Sequence, residues 1–343
     1  MKTRYHSYKK GSLPKGCQLC VRGLKSVLFI TGICAKGCFY CPISEEKHQK
    51  DVIYINERKA KGLKDVLEEI QISGSSGAGI TGGDPLARID RTTRYIRALK
   101  KHFGQNFHIH LYTPMALIDE KKLERLFQAG LDEIRFHPDT DKPKEWGRID
   151  LARRWPWQVG IEIPAIPGRY EETKHLLKAL DVDFINVNEL EVSDTNANRL
   201  IEKGYRTKDR LSYAVKGSQA LAIRLLKDAK RMHYCTSKLK DAVQLRNRLK
   251  RRAANARADY DIVTDEGLLV RGAIYGMPPR KTGSFLKGQG VDPGLIREEK
   301  NRTLTAASIV EELADELKGL GAKPAIVEEY PTYDQMNVIT LFL

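Results

Sequence analysis

Thr31-Gly32-Ile33-Cys34-Ala35-Lys36-Gly37-Cys38-Phe39-Tyr40-Cys41-Pro42 follows directly on the apolar run Ser26-Val27-Leu28-Phe29-Ile30. Three thiols stand within eight residues, spaced C-x3-C-x2-C, and one loop can turn all of them toward a single soft metal centre. A mononuclear structural zinc takes four ligands and this loop offers three. The shortfall suits a four-iron cluster in which one iron stays open to a further ligand. Structural zinc and plain buried thiols are the competing readings of the same residues.

A second motif, Gly79-Ile80-Thr81-Gly82-Gly83-Asp84-Pro85, is a short apolar strand that ends in paired glycines and an acid. Backbone bare of side chains at Gly82 and Gly83 lets a zwitterion approach closely, and Asp84 is placed to balance its ammonium. On its own this is an ordinary turn. In order after the cysteine loop, with Tyr40 just before Cys41, it resembles the Gly-Gly-Glu loop of the radical S-adenosylmethionine (SAM) superfamily, with Asp in place of Glu.

That resemblance spans roughly residues 26–190. It implies a 4Fe-4S cluster on Cys34, Cys38 and Cys41 whose open iron chelates SAM and passes it one electron. The 5'-deoxyadenosyl radical so released takes a hydrogen atom from the substrate, and an electron donor such as ferredoxin or flavodoxin is expected. The stretch from Leu13 through the cysteine loop further resembles an archaeal-type group related to pyruvate formate-lyase activating enzymes.

From Ser26 onward strand and helix patterns alternate, which predicts a parallel sheet. Strands are expected at 26–31, 77–81, 106–112, 131–136, 158–163 and 183–188, with helices at 57–72, 89–103, 119–129 and 171–180. Gly130 reads as a helix C' residue. The alternation alone permits an open doubly wound sheet; the resemblance selects an α/β partial (β/α)6 TIM-like barrel with a small C-terminal α+β extension.

Chemistry in such barrels gathers at the C-terminal ends of the strands. Those ends carry Asp84 with Pro85, Thr113, Arg135 with His137, Glu162 with Ile163, and Asn188 with Glu189. By resemblance, Tyr40, Gly82, Gly83, Asp84, Pro85, Thr113, Glu162, Ile163, Asn188 and Glu189 are the expected SAM contacts. Arg135 and His137 share one face of their strand, as do His108 and His110, and these four are the substrate-side candidates. A histidine pair at that spacing more often packs inside and satisfies hydrogen bonds.

Cys17 and Cys20 form a C-x2-C before the first strand, and His233 and Cys235 lie two apart on an extended segment. Together they make four soft or borderline ligands, read as a second site for zinc or for an auxiliary iron-sulfur cluster. Buried thiols beside a hydrogen-bonded His233 are the alternative.

Four segments follow: an N-terminal arm over 1–25, the barrel over 26–195, a helical region over 196–258 and an α+β unit over 259–343. The last is expected to contain a hairpin about Asp265, a glycine-rich loop over 283–294, a helix over 303–320 and two final strands. The 343 residues carry a net charge of +15, which makes a polyanionic partner plausible. An amphipathic helix over 237–253 gathers Lys238, Arg246, Arg248, Lys250, Arg251 and Arg252 as the RNA-facing candidates, although no interleaved aromatics offer base stacking. No apolar run approaches the roughly 18 residues of a membrane span, and no signal-peptide core is present, so a cytoplasmic protein is expected. The sequence thus points to hydrogen abstraction from a macromolecule, RNA ahead of a protein that receives a radical, with a small molecule third. The rival reading is a metal-stabilised RNA-binding or electron-transfer protein without SAM chemistry.

Overall fold

The structure is a computed structural model that describes residues 1–343. It divides into two compact units, residues 1–71 with 75–245, and residues 72–74 with 246–343.

The first unit is built on a ten-stranded sheet. Seven strands run parallel in the order β2 (Lys25–Phe29), β5 (Gly77–Thr81), β6 (His108–Pro114), β7 (Glu133–His137), β8 (Gln158–Ala165), β9 (Phe184–Glu189) and β10 (Met232–Cys235). β1 (Tyr8–Lys10) pairs antiparallel with β10, and the hairpin of β3 (Tyr54–Ile55) and β4 (Arg58–Lys59) pairs with β2. The strands fall close to the expected places, with one parallel strand more than the six expected, but the helix expected over 57–72 begins only at Leu63, because Arg58 and Lys59 are taken up in β4. Met232–Cys235 is too short to stand out beside the helical pattern before it, yet all of its residues are buried. Residues 8–10, expected in a loose arm, are ordered by pairing with it.

Alternation along each strand sorts the side chains. Ile80, Ile109, Leu111, Ile134, Val159 and Ile161 point to the helices, where they pack with Tyr95, Ile96 and Leu99 of α3 (Ile89–Phe103) and Leu123 and Leu126 of α4 (Glu120–Ala129). Asp119 caps α4 by accepting from the Lys122 N–H, and Gly130 ends it in the left-handed region at φ 98°, as expected. The alternate residues form a polar strand face: His108, His110, Glu133, Arg135, Glu162, Asn186 and His233. Glycines on neighbouring strands make room for the large ones; a Cβ on Gly79 would stand 2.6 Å from Nε2 of His110.

Cys17 and Cys20 lie in a helix, α1 (Lys15–Val21). Its first turn enters the polar interior, where the Gly16 N–H donates to Glu133 at 3.0 Å. Only glycine can come so near, since a Cβ there would sit 2.5 Å from Nη2 of Arg135.

In the second unit, β12 (Leu269–Tyr275) is central to a six-stranded sheet, flanked by β14 (Thr303–Thr305) and β15 (Lys323–Glu329), with β16 (Asn337–Phe342) at an edge. Three expectations are corrected here. The glycine-rich 283–294 stretch begins inside a helix, Pro279–Gly288, because Pro279 starts it and Leu286 is fully buried. The 303–320 helix is a strand followed by two short helices. The 237–253 helix is broken: a helical turn at Ser237–Leu239 and a π-helical stretch at Lys240–Leu245 belong to the first unit, and the helix Arg246–Ala256 belongs to the second.

Candidate active site

The cysteine loop leaves β2 and is fastened along its length. Gln49 donates from Nε2 to the Cys34 carbonyl at 2.6 Å, Asn196 donates to the Tyr40 carbonyl at 3.1 Å, and Arg199 donates to the Cys38 carbonyl at 3.2 Å. At its root, Asp51 accepts from Thr31 at 2.8 Å, Arg91 at 2.6 Å and Arg88 at 2.9 Å. These bonds hold the Asp51 carboxyl well below the usual carboxylate range. None of these anchors was singled out from sequence, because none carries a motif and Asn196, Arg199, Arg88 and Arg91 come from remote segments.

Cys34, Cys38 and Cys41 line one pocket of about 370 Å³ together with Gly82 and Gly83. The diglycine bend lies directly beneath the loop: the Gly83 N–H donates to the Thr31 carbonyl at 2.7 Å and the Asp84 N–H to the Ile33 carbonyl at 2.8 Å. A Cβ on Gly83 would meet the Ile33 and Gly32 carbonyls at 2.5 and 2.6 Å, so the glycine is a steric requirement. Burial raises the thiols of Cys34 and Cys38, and a neighbouring thiolate raises each further. The thiols do not converge on one point as a mononuclear ion would need. Thiolates on separate irons of a cluster stand further apart, so three half-buried thiols around one pocket fit a cluster better than a zinc ion.

The rest of the wall comes from strand ends. Thr113, Arg135, His137, Glu162, Ile163, Asn188 and Glu189 line the pocket from those ends, and Tyr40 lines it from the cysteine loop. Arg135 donates to Glu162 at 2.7 Å and Asn188 donates to the other oxygen of Glu162 at 2.8 Å, which fixes that carboxylate between β7 and β9. Glu189 accepts from the backbone and hydroxyl of Ser237, both at 2.9 Å. Lys240, ion-paired with Glu191 at 2.7 Å, adds an ammonium from the π-helical stretch that sequence reading missed. A regular helix was expected there, and Lys240 stands instead at the start of the π-helical stretch.

Several expected site residues lie elsewhere. Asp84 and Pro85 are buried behind the wall; Asp84 accepts from the Leu86 N–H and the Thr113 hydroxyl, both at 2.9 Å, and caps the short helix Pro85–Arg88. Burial raises its carboxyl, with those two bonds opposing. His108 and His110 sit deeper: Nδ1 of His108 meets the Lys25 ammonium at 2.8 Å and Nε2 of His110 meets Tyr112 at 3.0 Å. Neither histidine is part of the pocket wall.

Cys17, His233 and Cys235, expected in a second metal site, are all buried, with Nε2 of His233 unpartnered. Cys17 accepts from Arg135 at 3.4 Å, Cys235 is approached by Gln244 at 3.9 Å, and His233 holds Asn186 through Nδ1 at 2.8 Å. No three metal-ligating side chains converge there. Burial raises the Cys235 thiol to about 12, as expected of a thiol in a closed interior.

Comparison with known proteins supplies the context for this pocket. The radical SAM superfamily profile matches residues 28–161, and a domain of unknown function, DUF8061, matches residues 267–340. A Methanocaldococcus jannaschii protein, provisionally named a glycyl-radical enzyme activating enzyme, is 40% identical over 347 aligned positions, covering 95% of this chain and 92% of its own. Among solved structures, methylornithine synthase is 16% identical with a TM-score of 0.42 and covers 64% of this chain and 72% of its own. A radical SAM methyltransferase from Kitasatospora setae, solved with tryptophan and a SAM analogue, is 15% identical with a TM-score of 0.40, covering 78% and 60%.

Proposed function

The chain belongs to the radical SAM superfamily, and from that premise we propose that its pocket cleaves SAM to generate a radical on a protein partner. One observation carries the reading: the three cysteines of a single loop and the backbone of Gly82 and Gly83 face the same cavity. A 4Fe-4S cluster on Cys34, Cys38 and Cys41 supplies, when bound, the single electron that breaks the sulfonium.

The chain's own residues do the rest. Gly82 and Gly83 present backbone to a zwitterionic methionine moiety, and Thr113 extends that rim. Glu162 and Asn188, held together, offer acceptor and donor to a ribose, and Tyr40 closes the side next to the loop. Arg135 and His137 are left for the substrate side. Lys240 adds a cation there, matched by Glu191.

The protein partner is favoured by the activating-enzyme name of the 40% identical relative. An RNA substrate has less support than the sequence charge promised: Arg252 is buried, Lys250 faces Asp265 at 3.4 Å, and Arg248, Arg251 and Arg252 all have partners in the fold. Zinc or an auxiliary cluster forms no part of the proposal: Cys17, Cys235 and Nδ1 of His233 meet other side chains, although Nε2 of His233 is buried without a partner. No helix is long and apolar enough to cross a membrane, and a cytoplasmic setting that protects a cluster from oxygen belongs to the same reading.

The test is anaerobic reconstitution with iron and sulfide, followed by SAM and dithionite. Release of 5'-deoxyadenosine supports the proposal, and its absence from iron-loaded, folded protein overturns it. An electron paramagnetic resonance search for a protein radical on candidate partners then separates the protein reading from RNA, for which modified nucleosides are the product.

A further inference from the structure

Phe342 leaves 58% of its surface exposed, Leu341 57% and Ile339 54%, although all three lie in a strand, β16. β16 is the outer strand of the second unit's sheet, held on one side only, by β15. Met336 and Val338 add to the same exposed apolar stretch. From Gln335 to Leu343 no residue is charged, in a chain that is 30% Asp, Glu, Lys and Arg. The other edge of the sheet is built differently. There β13 (Arg297–Glu298) is two residues long, and both are charged and exposed, which is how a fold usually keeps an edge from pairing. Along β16 the one interruption is a register shift against Glu328 and Glu329 at its start, which leaves Ile339–Phe342 regular.

One bond tells which backbone groups are open. The Leu343 N–H donates to the Pro324 carbonyl at 3.1 Å, so Leu343 faces β15. Alternation turns Leu341 and Ile339, paired with Ile326 and Glu328, the same way, and points the N–H and C=O of Thr340 and Phe342 out of the open edge. They form a template for one more strand.

We propose that this strand is supplied by a second copy of the chain, β16 pairing antiparallel with its counterpart about a two-fold axis at Leu341. In that register Thr340 exchanges both backbone bonds with the partner's Phe342, Leu341 meets the partner's Leu341, and Ile339 meets the partner's Leu343. A register centred on Thr340 would call instead on Val338, which lies at the shift. Every facing pair is uncharged, and Thr340 against an aromatic ring is a favourable cross-strand pair. The five apolar side chains expose on the order of 500 Å² in each copy, so pairing brings together about 1,000 Å², the least that a specific interface needs. Two chains of net charge +15 repel at long range, so salt strengthens this contact, opposite to the behaviour of an acidic partner.

The experiment is sedimentation equilibrium on the full chain at low and high salt. The natural protein should show a micromolar monomer–dimer equilibrium that tightens with salt, and Leu341→Lys, which sets two ammonium groups face to face at the axis, should weaken it about tenfold or more. Far-UV circular dichroism should not change, because Leu341 is more than half exposed. Register is read by oxidative cross-linking. Leu341→Cys should link two chains through the introduced thiols, since facing residues of a non-hydrogen-bonded pair stand about 4.5 Å apart at Cα, within disulfide reach. Ile339→Cys should not, its counterpart being about 13 Å away along the strand. Peptide mapping separates these links from any made by the native cysteines. Natural protein that stays monomeric at about 100 µM, a dimer that Leu341→Lys leaves unchanged, or Ile339→Cys linking as well as Leu341→Cys overturns the proposal. A monomer whose β16 is covered by a different protein overturns it too.

Discussion

Tyr40 donates its hydroxyl to Nε2 of His137 across 2.8 Å, tying the cysteine loop to the end of β7. The direction follows from the other nitrogen: Nδ1 meets the backbone carbonyl of Glu162 at 2.7 Å, which can only accept, so Nδ1 bears the hydrogen. Burial lowers His137 to about 4 and keeps the ring neutral, so Nε2 must accept. Tyr40→Phe keeps the ring of the pocket wall and removes the donor. It should cost about 1 kcal/mol in urea unfolding and loosen the loop, seen as faster hydrogen exchange over 34–41.

Asp84 separates two accounts of the diglycine turn. As a buried acceptor for the Leu86 N–H and the Thr113 hydroxyl, it needs an oxygen more than a charge. Asp84→Asn should therefore keep SAM affinity within about threefold, while Asp84→Ala loses about 1 kcal/mol of stability through the missing cap. A loss of affinity of tenfold or more in Asp84→Asn, measured by calorimetric titration, would restore the ammonium-facing role expected from sequence.

Gly83 is a steric test of the pocket. Its added Cβ would collide with two backbone carbonyls of the loop, which cannot swing aside as a side chain can. Gly83→Ala should leave far-UV circular dichroism unchanged while iron content after reconstitution falls several-fold. Full iron loading would show that the loop does not need this contact.

The parallel strands were legible because their period and order are local properties of the sequence, and the cysteine and glycine loops because their spacing is their chemistry. The buttresses were not. Asn196, Arg199, Gln49 and Asp51 reach the loop only after the chain has folded, and nothing near them in sequence points there. His108 and Asp84 show the converse: each sits at a sequence position where chemistry is expected, and each also meets the hydrogen-bond demand of a closed interior.

Lys25 supplies a pH signature. Buried among the carbonyls of Ala78 and His108 and Nδ1 of His108, it is lowered by desolvation from 10.5 to about 7. Between those values the unfolded chain holds one more proton than the folded chain, so stability from this group rises with pH through that window. Its neighbours are Cys20 from α1, His108 from β6, and Asp132, Glu133 and Arg135 at β7. The raised thiols act in the opposite sense at the alkaline end. The measurement is therefore the difference between natural protein and Lys25→Met in urea unfolding from pH 7 to 9: the natural profile should rise more steeply, by up to about 1.4 kcal/mol per pH unit. Parallel profiles would mean that Lys25 stays charged inside.

The second unit rests on a buried ion pair that can be tested without any cofactor. Arg271 of β12 donates from Nε and Nη2 to the two oxygens of Asp261, both at 2.7 Å, with Glu329 at 3.5 Å from Nη1. Arg271 and Asp261 are almost wholly inaccessible to water. Asp261→Ala removes one partner and leaves the guanidinium without its bidentate acceptor, which costs about 3–5 kcal/mol when the charge stays buried. Glu329 is also bound by Arg302, so it cannot neutralise Arg271 alone. Hydrogen exchange in β12 and β15 should therefore accelerate markedly in this variant while β6, β7 and β8 keep their protection. Equal acceleration in both units would mean that they unfold as one.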